Sequence, residues 1–445
     1  MNVVIAGAGG VGFHIAKQLS EEKKNVAIIE KDVDKAAFAN EHLDCLVLQG
    51  EATDIETLKK AGCDKADMFI AVTNSDEVNM ISCFVVAQHF NVSKKIVRLR
   101  NIQYSESQMP SFKKIGIDFV INPEVEAAKS IVNTVNFGAS SDVIIFGIDI
   151  QMRGIHIDDN SPLKDKSIFE IKNIINRNFI IAGIKRENEE LIIPSGQTIV
   201  KEGDYVYIVA KQDTINDIVE MAGKSVIKIK DIAIFGAGDI GLMAAKGLKG
   251  KKRNIKIIDK DYERCKVVAN MCPKATVIHG YADDAELFEE ENIGDFDVVI
   301  TTTDNEEINL LSAIYAKNIG TKRAIALLDK TNYILMANKL NVDAVISPKL
   351  TTVNSILRFI RKGKILGVYS IFGGEAEALE FSVSEHSKLS NRAIKDVKLP
   401  KGSLIIAINR DNQNIIPDGS FIIKENDRMV IFTKKKHIPQ IEQII

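Results

Sequence analysis

The sequence lacks several features that would assign a chain to a membrane, to a secretory pathway or to a metal centre. No apolar run approaches the ~18 residues that a membrane-spanning helix needs, and the first residues lack the basic start and small-residue cleavage site of a signal peptide. The five cysteines form no CxxC pair and are odd in number, which suits a reducing compartment. We therefore expect a cytoplasmic protein without a metal site.

Neither the charge nor the motif content of the chain favours nucleic-acid binding or catalysis. The formal net charge is only −2 over 445 residues, which gives no broad attraction to nucleic acid or to anionic lipid. No nucleophile elbow, phosphate-loop lysine, zinc-ligand spacing or catalytic lysine pattern occurs, and the histidines pair with no acid in a dehydrogenase motif. We predict a protein that binds a ligand without turnover, with no catalytic residues and no nucleic-acid partner.

A glycine motif occurs twice in the chain. Gly7, Gly9 and Gly12 follow the strand-like run NVVIA in the pattern GxGxxG, and the same pattern follows DIAIF 229 positions later, at Gly236, Gly238 and Gly241. The similarity continues downstream, where LVLQGEATDIETLKKAG matches TVIHGYADDAELFEEENIG and GIDFVINPEVEAAKSIVNTV matches NVDAVISPKLTTVNSILRFI. The chain is therefore an internal duplication.

Strand and helix signals alternate within each copy. Short β-branched runs such as DMFIAVT and KIVRLR are separated by stretches with apolar residues at helical spacing, a pattern that builds a parallel sheet covered by helices on both faces. Each copy is followed by ~80 residues rich in short strands and polar turns. These tails also match, since LIIPSGQTIVKEGDYVYIVAK resembles NIIPDGSFIIKENDRMVIFTK.

We predict an α/β protein with two tandem Rossmann-like, doubly wound parallel-sheet domains, each followed by a small α+β domain. Turn residues cluster near Gly138, Lys230 and Gly363, where we place the boundaries. The expected domains are residues 1–138, 139–224, 225–360 and 361–445.

The glycine motif predicts a dinucleotide site. Gly7 permits a tight turn, Gly9 lets a pyrophosphate approach the backbone, and Gly12 lets the following helix pack against the sheet, so that phosphate meets free amides at the helix N-terminus. Glu30 and Asp259 each follow the third glycine of their motif by 18 residues, where a carboxylate accepts from ribose hydroxyls and repels the 2′-phosphate of NADP. The alternative is a glycine turn that serves packing alone.

Polar residues also follow the fourth and fifth predicted strands of the first copy. Thr73 and Asn74 would lie at the carboxyl edge of the sheet, where ligands of open α/β folds bind. Arg98 ends the next strand and could make a forked, charge-assisted contact to phosphate. A surface salt bridge is the alternative for Arg98.

The second copy departs from the first at two positions. Asp239 lies in the glycine motif where the first copy has Gly10, and a carboxylate beside a pyrophosphate costs Coulomb energy unless a cation intervenes. Leu327 lies near the position that matches Arg98. Lys322 and Arg323 are neighbouring sources of positive charge, and the sequence leaves open whether they substitute. We expect the second site to bind phosphate less tightly.

Together, the motifs IAGAGGVG, QGEATD, AVTNSDEVNM and IVRLR, followed by IPSGQTIVKEGDYVYIV, closely resemble the regulator of potassium conductance family. Two such units in one chain are similar to the peripheral subunit of the Trk potassium uptake system. The resemblance implies a protein that binds NAD or NADH, and also ATP or ADP. It further implies an even-numbered homo-oligomeric ring that gates a TrkH-like membrane subunit from the cytoplasmic face of the membrane.

The same resemblance implies the composition of two nucleotide sites. The first would comprise Gly7, Ala8, Gly9, Gly10, Val11, Glu30, Glu51, Thr73, Asn74 and Arg98. The second would comprise Gly236, Ala237, Gly238, Asp239, Ile240, Asp259, Tyr281 and Thr303. Two other functions stay open on the sequence: an NAD-dependent oxidoreductase, which would consume bound NADH, and a structural scaffold, which would bind no nucleotide.

Overall fold

The computed structural model describes residues 1–101, 104, 109–137, 144–146, 149–186, 189–222, 229–250, 252–360, 365–371, 375–384 and 387–444. The boundaries expected at residues 138, 224 and 361 lie outside these residues. The chain forms two compact units, each drawn from two separate stretches of sequence. The first unit comprises Met1–Asn136 with Ile229–Leu357, and the second comprises Phe137–Lys228 with Arg358–Ile445.

The first Rossmann domain opens the first unit. Its elements are β1 (Asn2–Ala6), α1 (Gly10–Glu21), β2 (Asn25–Glu30), α2 (Val33–His42), β3 (Leu46–Gln49), α3 (Ile55–Lys60), β4 (Met68–Ala71), α4 (Asp76–His89), β5 (Lys94–Arg98), α5 (Met109–Lys114), β6 (Phe119–Ile121) and α6 (Pro123–Phe137). All strand pairs are parallel, and the sheet order is β3-β2-β1-β4-β5-β6. The order reverses between β1 and β4, which is where open α/β sheets form a ligand crevice.

The first small domain follows in the chain and belongs to the second unit. Its elements are β7 (Ile144–Phe146), β8 (Ile150–His156), α7 (Ile168–Ile175), β9 (Phe179–Lys185), β10 (Tyr205–Lys211) and α8 (Gln212–Met221). The strands pair antiparallel in the order β7-β8-β10-β9.

The second Rossmann domain repeats the topology of the first within the first unit. Its elements are β11 (Asp231–Phe235), α9 (Asp239–Leu248), β12 (Asn254–Asp259), α10 (Tyr262–Met271), β13 (Thr276–His279), α11 (Ala285–Glu290), β14 (Val298–Thr301), α12 (Glu306–Asn318), β15 (Arg323–Leu327), α13 (Thr331–Lys339), β16 (Ala344–Ile346) and α14 (Pro348–Ile360). The parallel sheet has the order β13-β12-β11-β14-β15-β16, so the crevice recurs between β11 and β14.

The second small domain completes the second unit and the predicted fold. Its elements are β17 (Ile365–Ile371), β18 (Ala376–Ser382), β19 (Ser403–Arg410), β20 (Gln413–Ile415), β21 (Arg428–Lys434) and α15 (Ile438–Glu442), with an antiparallel sheet in the order β17-β18-β21-β19-β20. Side chains from both small domains form one apolar cluster, which includes Tyr207 and Phe432. Two parallel-sheet domains, each followed in sequence by a small antiparallel-sheet domain, confirm the predicted fold class.

The two Rossmann domains share a core. Helix α6 of the first domain buries Ile131 and Val135 in the same cluster as Ile232 and Leu248 of the second. Gly247 in α9 is required for this approach, because a Cβ at that position would lie 2.7 Å from a methyl group of Val132. The shared core brings the carboxyl ends of the two sheets to one cleft, described below.

Candidate functional site

The three glycines of the first motif have different roles in the structure. Gly7 adopts a φ of +104°, and a Cβ there would lie 3.1 Å from the backbone nitrogen of Thr73. A Cβ at Gly12 would lie 1.9 Å from the carbonyl oxygen of Gly7, so Gly12 permits helix α1 to pack against the turn. A Cβ at Gly9 would meet no atom within 4 Å. The fold itself therefore requires Gly7 and Gly12, whereas the space in front of Gly9 is open.

Helix α1 also differs from its neighbours in how it begins. Asp32, Asp54 and Ser75 cap α2, α3 and α4 by accepting hydrogen bonds from backbone amides in the first turn of each helix. The N-cap of α1 is Gly9, which has no side chain to offer, and the first turn of α1 contains no acidic residue. The amides at the start of α1 are thus the uncapped, positive end of a helix.

Six residues of the predicted first site line one cavity of 270 Å³. These are Gly7, Gly9, Glu30, Glu51, Thr73 and Asn74. The sequence analysis did not single out three further lining residues, Lys31, Asp32 and Lys35, of which Lys35 pairs with Asp32 at 3.7 Å. We call it the first cavity.

Glu30 lies at the end of β2 and connects two parts of the first cavity. Its Oε2 accepts a hydrogen bond from the backbone N–H of Ala8 at 2.6 Å, and its Oε1 accepts one from Asp32 at 3.1 Å. Each carboxylate oxygen retains a lone pair beyond these contacts. The carboxylate is therefore fixed at the rim of the cavity and can still accept hydroxyl donors.

Arg98 is buried instead of lying in a surface salt bridge. Its side chain is 6% exposed, and it donates to the carbonyl of Thr73 at 2.7 Å and to Oδ1 of Asn74 at 3.3 Å. Its Nε has no hydrogen-bond partner in the described part of the chain. Burial lowers the pKa of Arg98 to about 10. A buried guanidinium with an unused donor is a group that an anion would stabilise.

Asn79 in helix α4 holds this region together, and sequence reasoning missed it. Its Oδ1 accepts from the backbone N–H of Thr73 at 2.8 Å and from the Thr73 hydroxyl at 2.7 Å, and its Nδ2 donates to the carbonyls of Thr73 and Arg98. Asn309 makes the matching contacts to Thr303 and Leu327 in the second domain. Comparing the two copies of the duplication could have found this asparagine, since both contain it.

The second motif builds a cavity of 310 Å³ in the same way, which we call the second cavity. Its lining includes five predicted residues, namely Gly236, Gly238, Asp259, Tyr281 and Thr303. Asp259 accepts hydrogen bonds from the backbone N–H groups of Ala237 at 2.6 Å and Asp261 at 2.8 Å, as Glu30 does in the first domain. The two cavities therefore share one architecture.

The charges of the second cavity differ from those of the first. Asp239 forms an ion pair of 2.8 Å with Arg264, which also donates to the carbonyl of Ala237. Arg264 is the cation that a carboxylate beside a phosphate would require, and the sequence analysis did not single it out. Lys322 pairs with Asp297 at 2.6 Å, and neither it nor Arg323 lines the second cavity or the cleft described next. These two residues therefore do not replace Arg98.

A larger cleft of 690 Å³ lies between the two Rossmann domains, and we call it the shared cleft. The predicted site residues that line it are Gly10, Val11, Asn74 and Arg98 from the first domain, and Gly238, Asp239, Ile240 and Thr303 from the second. Asn74 also lines the first cavity, and Thr303 also lines the second. The first cavity therefore adjoins the shared cleft at Asn74, and the second adjoins it at Gly238 and Thr303.

The shared cleft contains opposite charges at matching positions of the two domains. Glu124 follows the first residue of α6, and Lys349 follows the first residue of α14. Burial raises the pKa of Glu124, and its Oε2 has no hydrogen-bond partner among the described residues. The glycine motifs thus face each other across a cleft whose two sides are unlike in charge.

The described residues contain neither a candidate membrane span nor a candidate metal site. No helix among them is both long enough and apolar enough to cross a membrane. No group of three or more histidine, cysteine or acidic side chains among them could hold a metal ion.

Two domain families match this chain. The TrkA-N domain matches residues 3–123 and 232–348, and the TrkA-C domain matches residues 152–223 and 378–445. The Trk system potassium uptake protein TrkA homolog 1 of Methanosarcina mazei is 34% identical over 451 residues, covering 100% of this chain and 99% of its own length. TrkA of Azorhizobium caulinodans is 32% identical over 453 residues, covering 100% of this chain and 98% of its own.

Solved structures support the fold. The GsuK channel bound to NAD has a TM-score of 0.59 at 17% identity, and the match covers 100% of this chain and 78% of the channel chain. The crystal structure of the GsuK RCK domain has a TM-score of 0.59 at 17% identity, covering 100% of this chain and 94% of its own. GsuK bound to ADP has a TM-score of 0.50 at 14% identity, covering 81% and 69% respectively.

The names of these relatives describe potassium uptake proteins and no enzyme, in agreement with the predicted lack of catalysis. The resemblance drawn from the glycine motifs, the segments that follow them and the small domains is confirmed by both domain families and, over the full length, by these relatives. This chain belongs to the TrkA family of Trk system potassium uptake proteins.

Proposed function

We propose that this protein is a regulatory subunit that senses a nucleotide and gates a membrane subunit for potassium uptake. The observation that carries the proposal is that both cavities adjoin the shared cleft. A ligand at the start of α1 or α9 would lie beside the cleft between the two Rossmann domains and could contact both of them. Such a ligand is placed to alter how the Rossmann domains pack.

The residues of the first cavity fit an adenine nucleotide without a 2′-phosphate. The open space at Gly9 admits a pyrophosphate, the uncapped start of α1 offers amides to it, and Glu30 is available to ribose hydroxyls. The volume of 270 Å³ is just below the usual ligand-pocket range of about 300–1,000 Å³, so the adenosine part would lie there and the remainder would extend toward the shared cleft. NAD, NADH, ATP and ADP are all adenine nucleotides without a 2′-phosphate. The similar GsuK structures bound to NAD and to ADP support the same ligand class.

Regulation requires that the ligand bind one arrangement of the assembly more tightly than another. We propose that the protein forms an even-numbered homo-oligomeric ring on the cytoplasmic face of a TrkH-like potassium-translocating subunit. Nucleotide in the cavities would shift the packing of the Rossmann domains, and the membrane subunit would respond to that shift. Whether a nucleotide raises or lowers potassium flux depends on which arrangement of the assembly it binds more tightly.

The test is potassium flux through the reconstituted membrane subunit while NADH, NAD, ATP and ADP are titrated separately. We expect flux to change with nucleotide only when this protein is present, and the Gly9→Val variant to reduce that response. For the parent protein and for Gly9→Val alike, light scattering is expected to give a species well above 49.2 kDa. A flux response that is the same with and without this protein would overturn the proposal.

A further inference from the structure

Lys349 belongs to the second Rossmann domain but lies against the glycine motif of the first. A Cβ built on Gly10 would lie 2.9 Å from the Cδ of Lys349, so the lysine side chain passes directly over the start of α1. Its ammonium donates to the backbone carbonyl of Asp329 at 3.1 Å. Within the described part of the chain it has no carboxylate partner. A half-buried lysine without a counter-ion thus lies beside a helix N-terminus of the other domain.

An independent observation at the same place points to an anion. Arg98 also lines the shared cleft, its side chain is more than nine-tenths buried, and its Nε has no partner among the described residues. Arg100 lines the cleft as well. Lys349, Arg98 and Arg100 therefore line the same cleft as the uncapped start of α1, whose first turn contains no acidic residue. Glu124 also lines this cleft, and its charge partly offsets the lowering of the Arg98 pKa by burial.

The matching positions of the second domain carry the reverse arrangement. The start of α9 has Asp239 in its first turn, Leu327 replaces Arg98, and the side chain supplied by the opposite domain is Glu124 instead of a lysine. The positive charge near this motif is Arg264, which is already paired with Asp239. Of the two glycine motifs, the first therefore has a lysine supplied by the opposite domain and the second does not.

We propose that Lys349 is a phosphate-binding residue of the first nucleotide site, supplied by the second Rossmann domain, and that it selects ligands with a phosphate beyond the one attached to adenosine. This inference rests on the proposed nucleotide binding. The ammonium would contact the phosphate that lies nearest Gly10, together with Arg98. Because α14 carries the lysine, the bound phosphate would connect the two domains and transmit occupancy of the first site to the second domain.

The experiment is calorimetric titration of the full-length protein with AMP, ADP and ATP, using Gly238→Val as the background so that the first site is measured alone. Lys349→Ala is expected to lower the affinity for ADP and ATP roughly tenfold to a hundredfold, the usual effect of one charge-assisted contact, and to change AMP binding less than about threefold. Lys349→Arg is expected to keep the affinity for all three. The matched control is Lys339→Ala, which removes an exposed lysine of the same domain outside the cleft.

A second readout separates binding from a structural role. Hydrogen exchange at the start of α14 is expected to slow when ATP binds to the parent protein and to be unaffected by ATP in Lys349→Ala. Parent-like ADP and ATP affinity in Lys349→Ala, with binding still blocked by Gly9→Val, would overturn the role of Lys349 and leave the proposed function standing. Equal losses for AMP, ADP and ATP in both Lys349→Ala and Lys349→Arg would also overturn it. A parent protein that binds none of the three would overturn both proposals.

Discussion

At the scale of single residues, Gly9 offers a test that separates the ligand from the fold. Its side-chain space is open, and its φ of −65° suits any residue, so Gly9→Val is expected to fold normally. The added methyl groups would occupy the space needed by a pyrophosphate. We expect nucleotide binding at the first site to fall by more than about a hundredfold, equivalent to ~2.7 kcal/mol, in calorimetry with an unchanged melting temperature. Unchanged affinity would place the ligand elsewhere.

Replacing Arg98 is expected to raise the stability of the protein and to lower its affinity for nucleotide. Arg98→Leu copies the residue found at the matching position of the second domain, and it removes a buried guanidinium whose Nε has no partner among the described residues. The carbonyl of Thr73 would keep its hydrogen bond from Asn79. We expect the free energy of unfolding without nucleotide to rise by about 1–3 kcal/mol and nucleotide affinity to fall roughly tenfold or more.

Scanning calorimetry with and without ADP measures both effects of Arg98→Leu. Lys339→Ala, at an exposed position outside the shared cleft, is a control that should leave both stability and the first site unaffected. A loss of stability together with a loss of binding would mean that Arg98 is needed for the fold itself.

The residues that sequence could predict are those whose geometry is local. Gly7, Gly9 and Glu30 are fixed by one strand–turn–helix–strand segment, and the structure places all three at one cavity. The burial of Arg98 and the pairing of Asp239 with Arg264 depend on neighbours that are distant in sequence. Charge alone could not show whether an arginine at a strand end is exposed or buried.

At the scale of secondary-structure elements, helix α4 fixes the ends of two strands through a single side chain. Asn79 is fully buried and makes four hydrogen bonds to Thr73 and Arg98. Asn79→Ala would leave a backbone amide at the end of β4 and a carbonyl at the end of β5 without these partners. We expect a loss of about 2–4 kcal/mol in the free energy of unfolding, because buried polar groups without partners are costly.

Hydrogen exchange of the loop between β4 and α4 tests this prediction directly, since its amides should exchange faster in Asn79→Ala. Gln88→Ala, at an exposed position of the same helix, is the matched control and should leave exchange unchanged. Equal exchange in the two variants would contradict the role of Asn79. The periodic pattern of α4 was sufficient to predict a helix, but it gave no sign that one polar residue faces the strand ends.

At the scale of the whole molecule, duplication in the sequence predicted two parallel sheets and two glycine sites, and the structure has both sheets. The duplication did not predict that the two sites lie at one shared cleft. That depends on α6 packing into the core of the second Rossmann domain, an arrangement set by apolar surfaces whose partner is not visible in a periodic pattern. The shared cleft is therefore a property of the pair of domains.

Because the two sides of the shared cleft differ in charge, we expect the two sites to differ in affinity for the same nucleotide. The first has Lys349 and Arg98 near its motif, whereas the second has Leu327, Glu124 and a carboxylate already paired with an arginine. One charge-assisted contact is worth about 1.5–3 kcal/mol, so the first site should bind ATP at least roughly tenfold more tightly. Gly238→Val and Gly9→Val each leave one site intact, and titrating ATP into both variants compares the sites within the full-length protein. Matching dissociation constants would contradict the expected asymmetry, whereas weak binding only in Gly9→Val would assign the high-affinity response to the first Rossmann domain.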